Sequence, residues 1–473
     1  MNIKLILPAT PAYRVTPDSR SVPRRAMLRF SVLPLTTVAA LTPPEHAVEL
    51  VDENVRPLDF DAPCDLAAVS FMTAYAPRAF EIAREFRKRG VTTVAGGFHP
   101  SFCPDETLGH FDVVVQGDAE GLWPRVVDDV AAGRPQRLYR HDAPPDLALS
   151  PPPRRDLTAP WGKHYATLFA VQTGRGCAHG CRFCSITAFH GGTFRRKPLE
   201  NVLAEIRSAP RNFMFVDDNL IADPAFAREL FTAMIPLKKH WVSQCTLRLA
   251  DDPELLALAK RAGCVGIFVG LESITAENLA DVGKGVNLEG DSLARIRAIR
   301  KAGIGVQAAV IVGLDHDDVT VFRRTLDFLR RARLDALQLS ILTPLPGTPL
   351  YDDFKAAGRM RDSDWAHYDF RHTVFEPARM AAEQLQAGAD WLYREFYRLD
   401  RVLLRSWRAL LLGGPAAAVF CLRLNLTYRY DNVREHIRGV DPAVAEARRV
   451  APRRRRPLRF LRERLAVFVP ERW

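Results

Sequence analysis

The stretch Thr173-Gly174-Arg175-Gly176-Cys177-Ala178-His179-Gly180-Cys181-Arg182-Phe183-Cys184-Ser185 places three cysteines at C-x3-C-x2-C spacing. Thiolates this close on one loop can hold an iron–sulfur cluster, with the loop wrapped around a single cube. Three thiolates leave one iron of a four-iron cube without a protein ligand. An open metal position is where catalytic centres generally bind a reactant. Gly174, Gly176 and Gly180 let the backbone fold tightly around the sulfurs. The competing reading is a structural zinc ion, with His179 or His190 as fourth ligand. The motif follows a predicted strand at the start of a barrel-like run of elements, which favours the cluster.

Working outward, residues 166–362 alternate between strand and helix patterns. Strands are predicted at 169–173, 213–216, 241–246, 265–271, 306–312 and 337–342. Six strand–helix units imply a partial or complete parallel barrel. Residues 1–145 alternate in the same way, with strands at 3–7, 48–52, 66–71, 91–95 and 113–115, and an amphipathic helix over 79–89 stopped by Gly90. The fold class is therefore α/β, the first unit being a mostly parallel, Rossmann-like sheet with helices on both faces. Its ligands belong at the carboxyl ends of the strands, here Pro8 onward, 70–73, 96–99 and 117–120. The proline-rich composition around 141–160 predicts a linker, placed at 146–165. From 363 to 473 the pattern turns helical and rich in Arg and Leu, with a basic run, Arg453-Arg454-Arg455-Arg456, near the end.

The balance of 47% hydrophobic and 26% charged residues over 473 positions is globular, and the length calls for two or three units. The net charge of +11 permits an anionic partner without demanding one. Eight cysteines, only three of them clustered, exclude a secreted disulfide framework. No signal peptide and no membrane span is read, so a reducing cytoplasm is the expected compartment. Cys64, Cys103, Cys245, Cys264 and Cys421 read as small buried apolar residues.

At the cysteine motif, with Phe183 before the last Cys, the chain resembles the radical S-adenosylmethionine superfamily. Four further segments match in order: Phe215-Val216-Asp217-Asp218-Asn219, Gly270-Leu271-Glu272-Ser273, Ile311-Val312-Gly313-Leu314 and Thr343-Pro344-Leu345-Pro346-Gly347-Thr348-Pro349. The resemblance implies a [4Fe–4S] cluster on Cys177, Cys181 and Cys184, with S-adenosylmethionine chelating the fourth iron and yielding a 5′-deoxyadenosyl radical. It implies Asp217 and Asp218 near the methionine ammonium, Glu272 and Ser273 near methionine and ribose, and Gly313 along the adenine. Asp217 and Asp218 also read as helix caps, with Asn219 another candidate cap. Glu272, in a strand otherwise apolar, needs a ligand or a cation, and Arg248 is the neighbour expected to serve. Gly313 equally marks close approach to a helix, and the Pro346-Gly347 turn is first a turn.

The first 145 residues resemble the cobalamin-binding domain that precedes the radical domain in one class of this superfamily. The carrying residues are Pro34 to Pro43, Val51-Asp52-Glu53, Ser70-Phe71-Met72-Thr73, Gly96-Gly97-Phe98-His99-Pro100 and Gly117-Asp118-Ala119-Glu120. The resemblance implies cobalamin bordered by Ser70, Thr73, Gly96, Gly97 and Glu120, with the loop 9–33 along the crevice. No D-x-H-x-x-G segment supplies a histidine to cobalt, and His99 reads as capping its turn. Trp123-Pro124, Pro153-Arg154-Arg155-Asp156 and Gln172 to Gly176 are similar to the branch of hopanoid C-2 methylases and bacteriochlorophyll side-chain methylases. That branch implies methylation of an unactivated carbon on an apolar molecule and a one-electron reductant such as flavodoxin or ferredoxin. Two alternatives stand beside it: a radical enzyme of this architecture that cyclises, rearranges or oxidises, and a non-enzymatic zinc or cluster protein. Nucleic acid is disfavoured, since no aromatic–basic RNA module is present. The interrupted apolar segment 409–420, too short to span a bilayer, reads as a helical cap with a solvated basic tail. Its alternative is a peripheral contact with an anionic membrane.

Overall fold

The computed structural model describes residues 1–19, 22, 29, 32–167 and 169–436. Two parallel sheets of six strands organise them. The first runs β2-β1-β3-β4-β5-β6, with β1 Asn2–Leu7, β2 Ala47–Asp52, β3 Leu66–Ser70, β4 Thr92–Gly96, β5 Val113–Gln116 and β6 Leu138–Arg140. Its strands are buried on both faces, and the period of two sorts their side chains. Ile3, Leu5, Leu66, Ala68, Val94, Val113 and Val115 enter one core. Ile6, Ala67, Val69, Ala95 and Val114 enter the other. Lys4 is the buried exception on β1, its ammonium 2.5 Å from Glu49. The strand order reverses between β1 and β3, and the crevice of such a sheet opens at the carboxyl ends of those strands.

The second sheet runs β14-β13-β12-β11-β10-β7, every pair parallel. Its strands are β7 Ala170–Val171, β10 Asn212–Phe215, β11 His240–Gln244, β12 Cys264–Glu272, β13 Gly305–Val312 and β14 Ala336–Ile341. Consecutive parallel strands with intervening helices form an open barrel of six strand–helix units around one large apolar core. Three elements depart from the sequence expectation. β7 has two residues rather than five. A two-stranded antiparallel hairpin, β8 Gly174–Gly176 with β9 Phe194–Arg196, frames the cysteine loop. The expected linker carries a tight helical turn, Arg155–His164. Past residue 363, irregular chain with a single bridge, Met360 to Phe375, precedes the helices Ala382–Phe396 and Leu399–His436.

The loop expected to border the crevice falls partly outside the described residues. Its first part folds onto β2: Ala9 N–H donates to Glu53 Oε2 at 3.2 Å, and Val15 N–H to the Glu53 carbonyl at 2.8 Å. The basic run Arg453 to Arg456 lies outside the described residues. The carboxyl edge of the first sheet faces the cysteine hairpin and the last barrel loop. The Phe98 and Phe189 rings lie 4.8 Å apart, and Phe102 fills the space beside Gly347, where a Cβ would come within 2.2 Å of its ring.

Candidate active site

The cysteine loop hangs between β8 and the helix Ser185–His190. Gly176 (φ 89°) leads into it because a Cβ there would lie 2.1 Å from the Thr193 carbonyl oxygen. Arg182 N–H donates to the Val282 carbonyl at 3.0 Å, and the Cys184 N–H to that of Cys181 at 3.1 Å. The turn at Gly283 packs backbone to backbone on the loop, leaving 2.6 Å between a Cβ at 283 and the Gly180 oxygen. Cys181 is buried, Cys177 and Cys184 half-buried. Burial pushes the Cys181 thiol up to about 11, with the other two thiols adding to the shift. A single zinc ion would draw its thiolates to within about 4 Å of one another. Among the described residues, the only three potential ligands within 4.8 Å of one another are His99, Cys103 and Glu106. Cys177, Cys181 and Cys184 do not form such a group.

Two carboxylates at the end of β10 hold the strand that leads into this loop. Asp217 is fully buried and accepts from Thr173 N–H (3.0 Å), Thr173 Oγ1 (2.6 Å) and Gly174 N–H (2.8 Å). Asp218 accepts from Gly176 N–H at 3.1 Å and is half-buried. Burial raises both to about 6. The donors on Asp217 occupy the oxygens that the sequence reading gave to an ammonium, leaving Asp218 the more available of the pair. Asn219 is not a helix cap, because Asp223 caps the next helix. Its Oδ1 is buried with no hydrogen-bond partner among the described residues.

Glu272 ends β12 at φ 61°, beside a register shift in its pairing with β13. Side chains other than glycine pay for that backbone region, and such strain collects at functional sites. Its cation is Lys284, with Nζ 3.0 Å from Glu272 Oε1. Arg248, the partner expected from sequence, pairs with Glu289 at the surface instead. Burial by itself pushes the Lys284 ammonium down, but Glu272 and the thiols of Cys181 and Cys184 outweigh it and hold it above its ordinary value. Gly270 makes room for this pair, since a Cβ there would lie 2.2 Å from Glu272 Oε1.

Ser273, Asn278, Asp317 and Gly313 form one hydrogen-bonded chain across the ends of β12 and β13. Asn278 Nδ2 donates to Asp317 (2.7 Å) and Ser273 Oγ (3.3 Å), and Gly313 N–H donates to Asp317 at 3.0 Å. Gly313 (φ 96°) is explained by helix packing, because a Cβ would lie 2.6 Å from Leu385. Sequence reasoning missed Lys284, Asn278 and Asp317. The one signal for Lys284 was its place between Gly283 and Gly285.

In the first domain, Gly97 (φ 102°) is packed on its own protein, with a Cβ 2.7 Å from the Phe71 carbonyl oxygen. At Gly96 a Cβ would meet open space. Ser70 is half-buried, Thr73 is buried, and Met72 between them is 47% exposed at the crevice. Both Glu120 oxygens are taken by Arg175, at 2.7 and 2.9 Å. Arg175 and Arg195 also hold Asp118, at 2.8 and 2.6 Å. His99 is fully buried against the Phe71, Phe80 and Trp365 rings, with Nε2 3.4 Å from Glu106.

Residues 171–329 match the model of the radical SAM superfamily. The chain is 30% identical over 391 residues to bacteriochlorophyllide d C-12(1)-methyltransferase of Chlorobaculum tepidum, covering 79% of this chain and 84% of that protein. The chain belongs to the radical S-adenosylmethionine superfamily. Within it, the chain is an enzyme of the branch that joins a cobalamin-binding domain to the radical domain, the class B methyltransferases. It is also 29% identical over 346 residues to hopanoid C-2 methylase of Rhodopseudomonas palustris, covering 70% of this chain and 65% of that one. The fold matches that of the radical S-adenosylmethionine methyltransferase TsrM from Kitasatospora setae, solved with cobalamin and a [4Fe–4S] cluster bound, with a TM-score of 0.62. The identity is 17%, covering 91% of this chain and 99% of that one.

The residues present fit the cofactors of a radical S-adenosylmethionine enzyme. Three thiols share one tightly packed loop, and the half-buried Lys284 ammonium beside them balances thiolate charge. The orphaned Asn219 Oδ1 and the half-buried Asp218 are acceptors for an ammonium. Gly96, open to space at a sheet edge, suits a flat ring.

Proposed function

We propose that this enzyme methylates an unactivated carbon of an apolar substrate, a 5′-deoxyadenosyl radical removing hydrogen and methylcobalamin giving the methyl group. When bound, the cluster and S-adenosylmethionine supply the one-electron chemistry and cobalamin carries the methyl. The protein contributes position. Cys177, Cys181 and Cys184 hold the cluster, Asp218, Asn219, Glu272 and Ser273 orient S-adenosylmethionine, and Ser70, Thr73 and Gly96 border the corrin. The observation that carries this reading is the meeting of the two sheets' carboxyl edges. Arg175, two residues before Cys177, is bonded to Asp118 and Glu120 at the edge of the first sheet. Phe98, Phe102 and Phe189 make the junction apolar, which suits an apolar substrate held between two cofactors.

The test is anaerobic incubation of reconstituted enzyme with methyl-deuterated S-adenosylmethionine, a one-electron donor such as reduced flavodoxin, and a panel of tetrapyrroles and polycyclic triterpenoids. The expected result is a product carrying the labelled methyl, absent with Cys181→Ala. Formation of 5′-deoxyadenosine with an altered but unlabelled substrate would contradict methylation and favour a cyclising or oxidising enzyme.

A further inference from the structure

The terminal helix Leu399–His436 is broken at Gly414 (φ 75°) and Pro415. Its two arms fold back on each other: Arg405 Nε donates to Asn425 Oδ1 at 2.9 Å, and Asn425 Nδ2 to the Asp335 carbonyl at 3.0 Å. Val402, Arg405, Ser406, Cys421 and Asn425 are buried on the inner side of this hairpin. The outer side is apolar and bare. Leu403, Trp407, Leu411, Leu412, Val419 and Phe420 are each 50–68% exposed. Nine of the sixteen large hydrophobic side chains exposed among the described residues lie on this one element, so the exposure is a patch rather than scatter.

Charge says what covers it. Residues 437–473, which follow the hairpin, carry eleven arginines against four acidic residues, and so supply most of the chain's net +11. We propose that the hairpin tip docks on an anionic lipid bilayer with its apolar side chains among the acyl chains, the chain's net positive charge favouring anionic headgroups. An apolar face on a chain of net positive charge gains affinity from buried area and from attraction to anionic lipid. The contact is with one leaflet, since no helix among the described residues is long and apolar enough to cross a membrane. A substrate dissolved in the bilayer would give the surface a use, but the docking stands independently of methyl transfer.

The experiment is flotation of the full-length, cluster-loaded protein with vesicles of phosphatidylcholine alone or mixed with phosphatidylglycerol. The wild type is expected to float with the anionic vesicles and less so at high salt. Trp407→Glu/Leu411→Glu/Phe420→Glu, checked for unchanged iron content and melting, should lower the floating fraction more than about tenfold. Leu411→Ser alone, a milder change, should lower it in the same direction. Three results would overturn the proposal: a wild type that ignores anionic vesicles, equal flotation of the tip variants, or a wild-type dimer that the tip variants make monomeric without any vesicle binding.

Discussion

The Arg175 guanidinium lies 2.7 Å from Glu120 and 2.8 Å from Asp118, bonding the strand that leads into the cysteine loop to the edge of the other sheet. Glu120 is 1% exposed, so removing its partner strands a buried charge. Breaking such a pair from one side costs about 3–5 kcal/mol. Arg175→Ala should therefore lower stability by that order and separate the unfolding of the two domains in calorimetry. Arg175→Lys, lacking the fork that grips two carboxylates, should recover only part. Burial alone would raise Asp118 and Glu120, but the guanidinium groups outweigh it and hold both below their ordinary values of 3.8 and 4.5. The stability they add is thus present above those values and lost as pH falls through the depressed ones.

Asp317 has the opposite sign. Burial raises it to about 6, against an ordinary 3.8. Its contribution is full below about pH 3.8 and lost as pH rises through about 6, by at most about 3 kcal/mol. Asp317→Asn should flatten that part of the curve when denaturant midpoints are measured from pH 4 to pH 7 in parallel with wild type.

Gly270→Ala would drive a methyl group into the Glu272 carboxylate, which Lys284 and a left-handed backbone hold in place. The expected outcome is at least a tenfold loss of S-adenosylmethionine affinity, about 1.4 kcal/mol, with iron content retained. Equilibrium binding to the reconstituted variant measures both.

Gly96 and Gly97 separate a corrin effect from a folding effect. Gly97→Val collides with the Phe71 backbone and should destabilise the first domain outright, so cobalamin loss there proves nothing about the ring. At Gly96 an added Cβ meets no protein atom within 4 Å, so the probe there is Gly96→Val. It should melt like wild type yet purify with much less cobalamin, read from the visible spectrum alongside iron content.

The cysteine loop was legible because its pattern is carried by local spacing. Strands β10, β12, β13 and β14 were legible because each is a largely apolar run bounded by turns. The hairpin of β8 and β9 was not, since Gly-Arg-Gly and Phe-Arg-Arg carry no apolar alternation and their pairing depends on Asp217, Asp218 and Thr193. Sequence asked for a ligand or a cation at Glu272 and named Arg248, whereas the turn at Gly283 brings Lys284 to it instead. Nor could it show that Glu120 faces Arg175, because that contact joins two residues 55 positions apart in the chain.

The most direct measurement is the ratio of 5′-deoxyadenosine to methylated product in a single anaerobic turnover, for wild type and Arg175→Ala. If both cofactors act on one substrate across this junction, the wild type makes the two in equal amounts and Arg175→Ala makes 5′-deoxyadenosine in excess. Equal amounts from the variant, at an unchanged rate, would contradict the account.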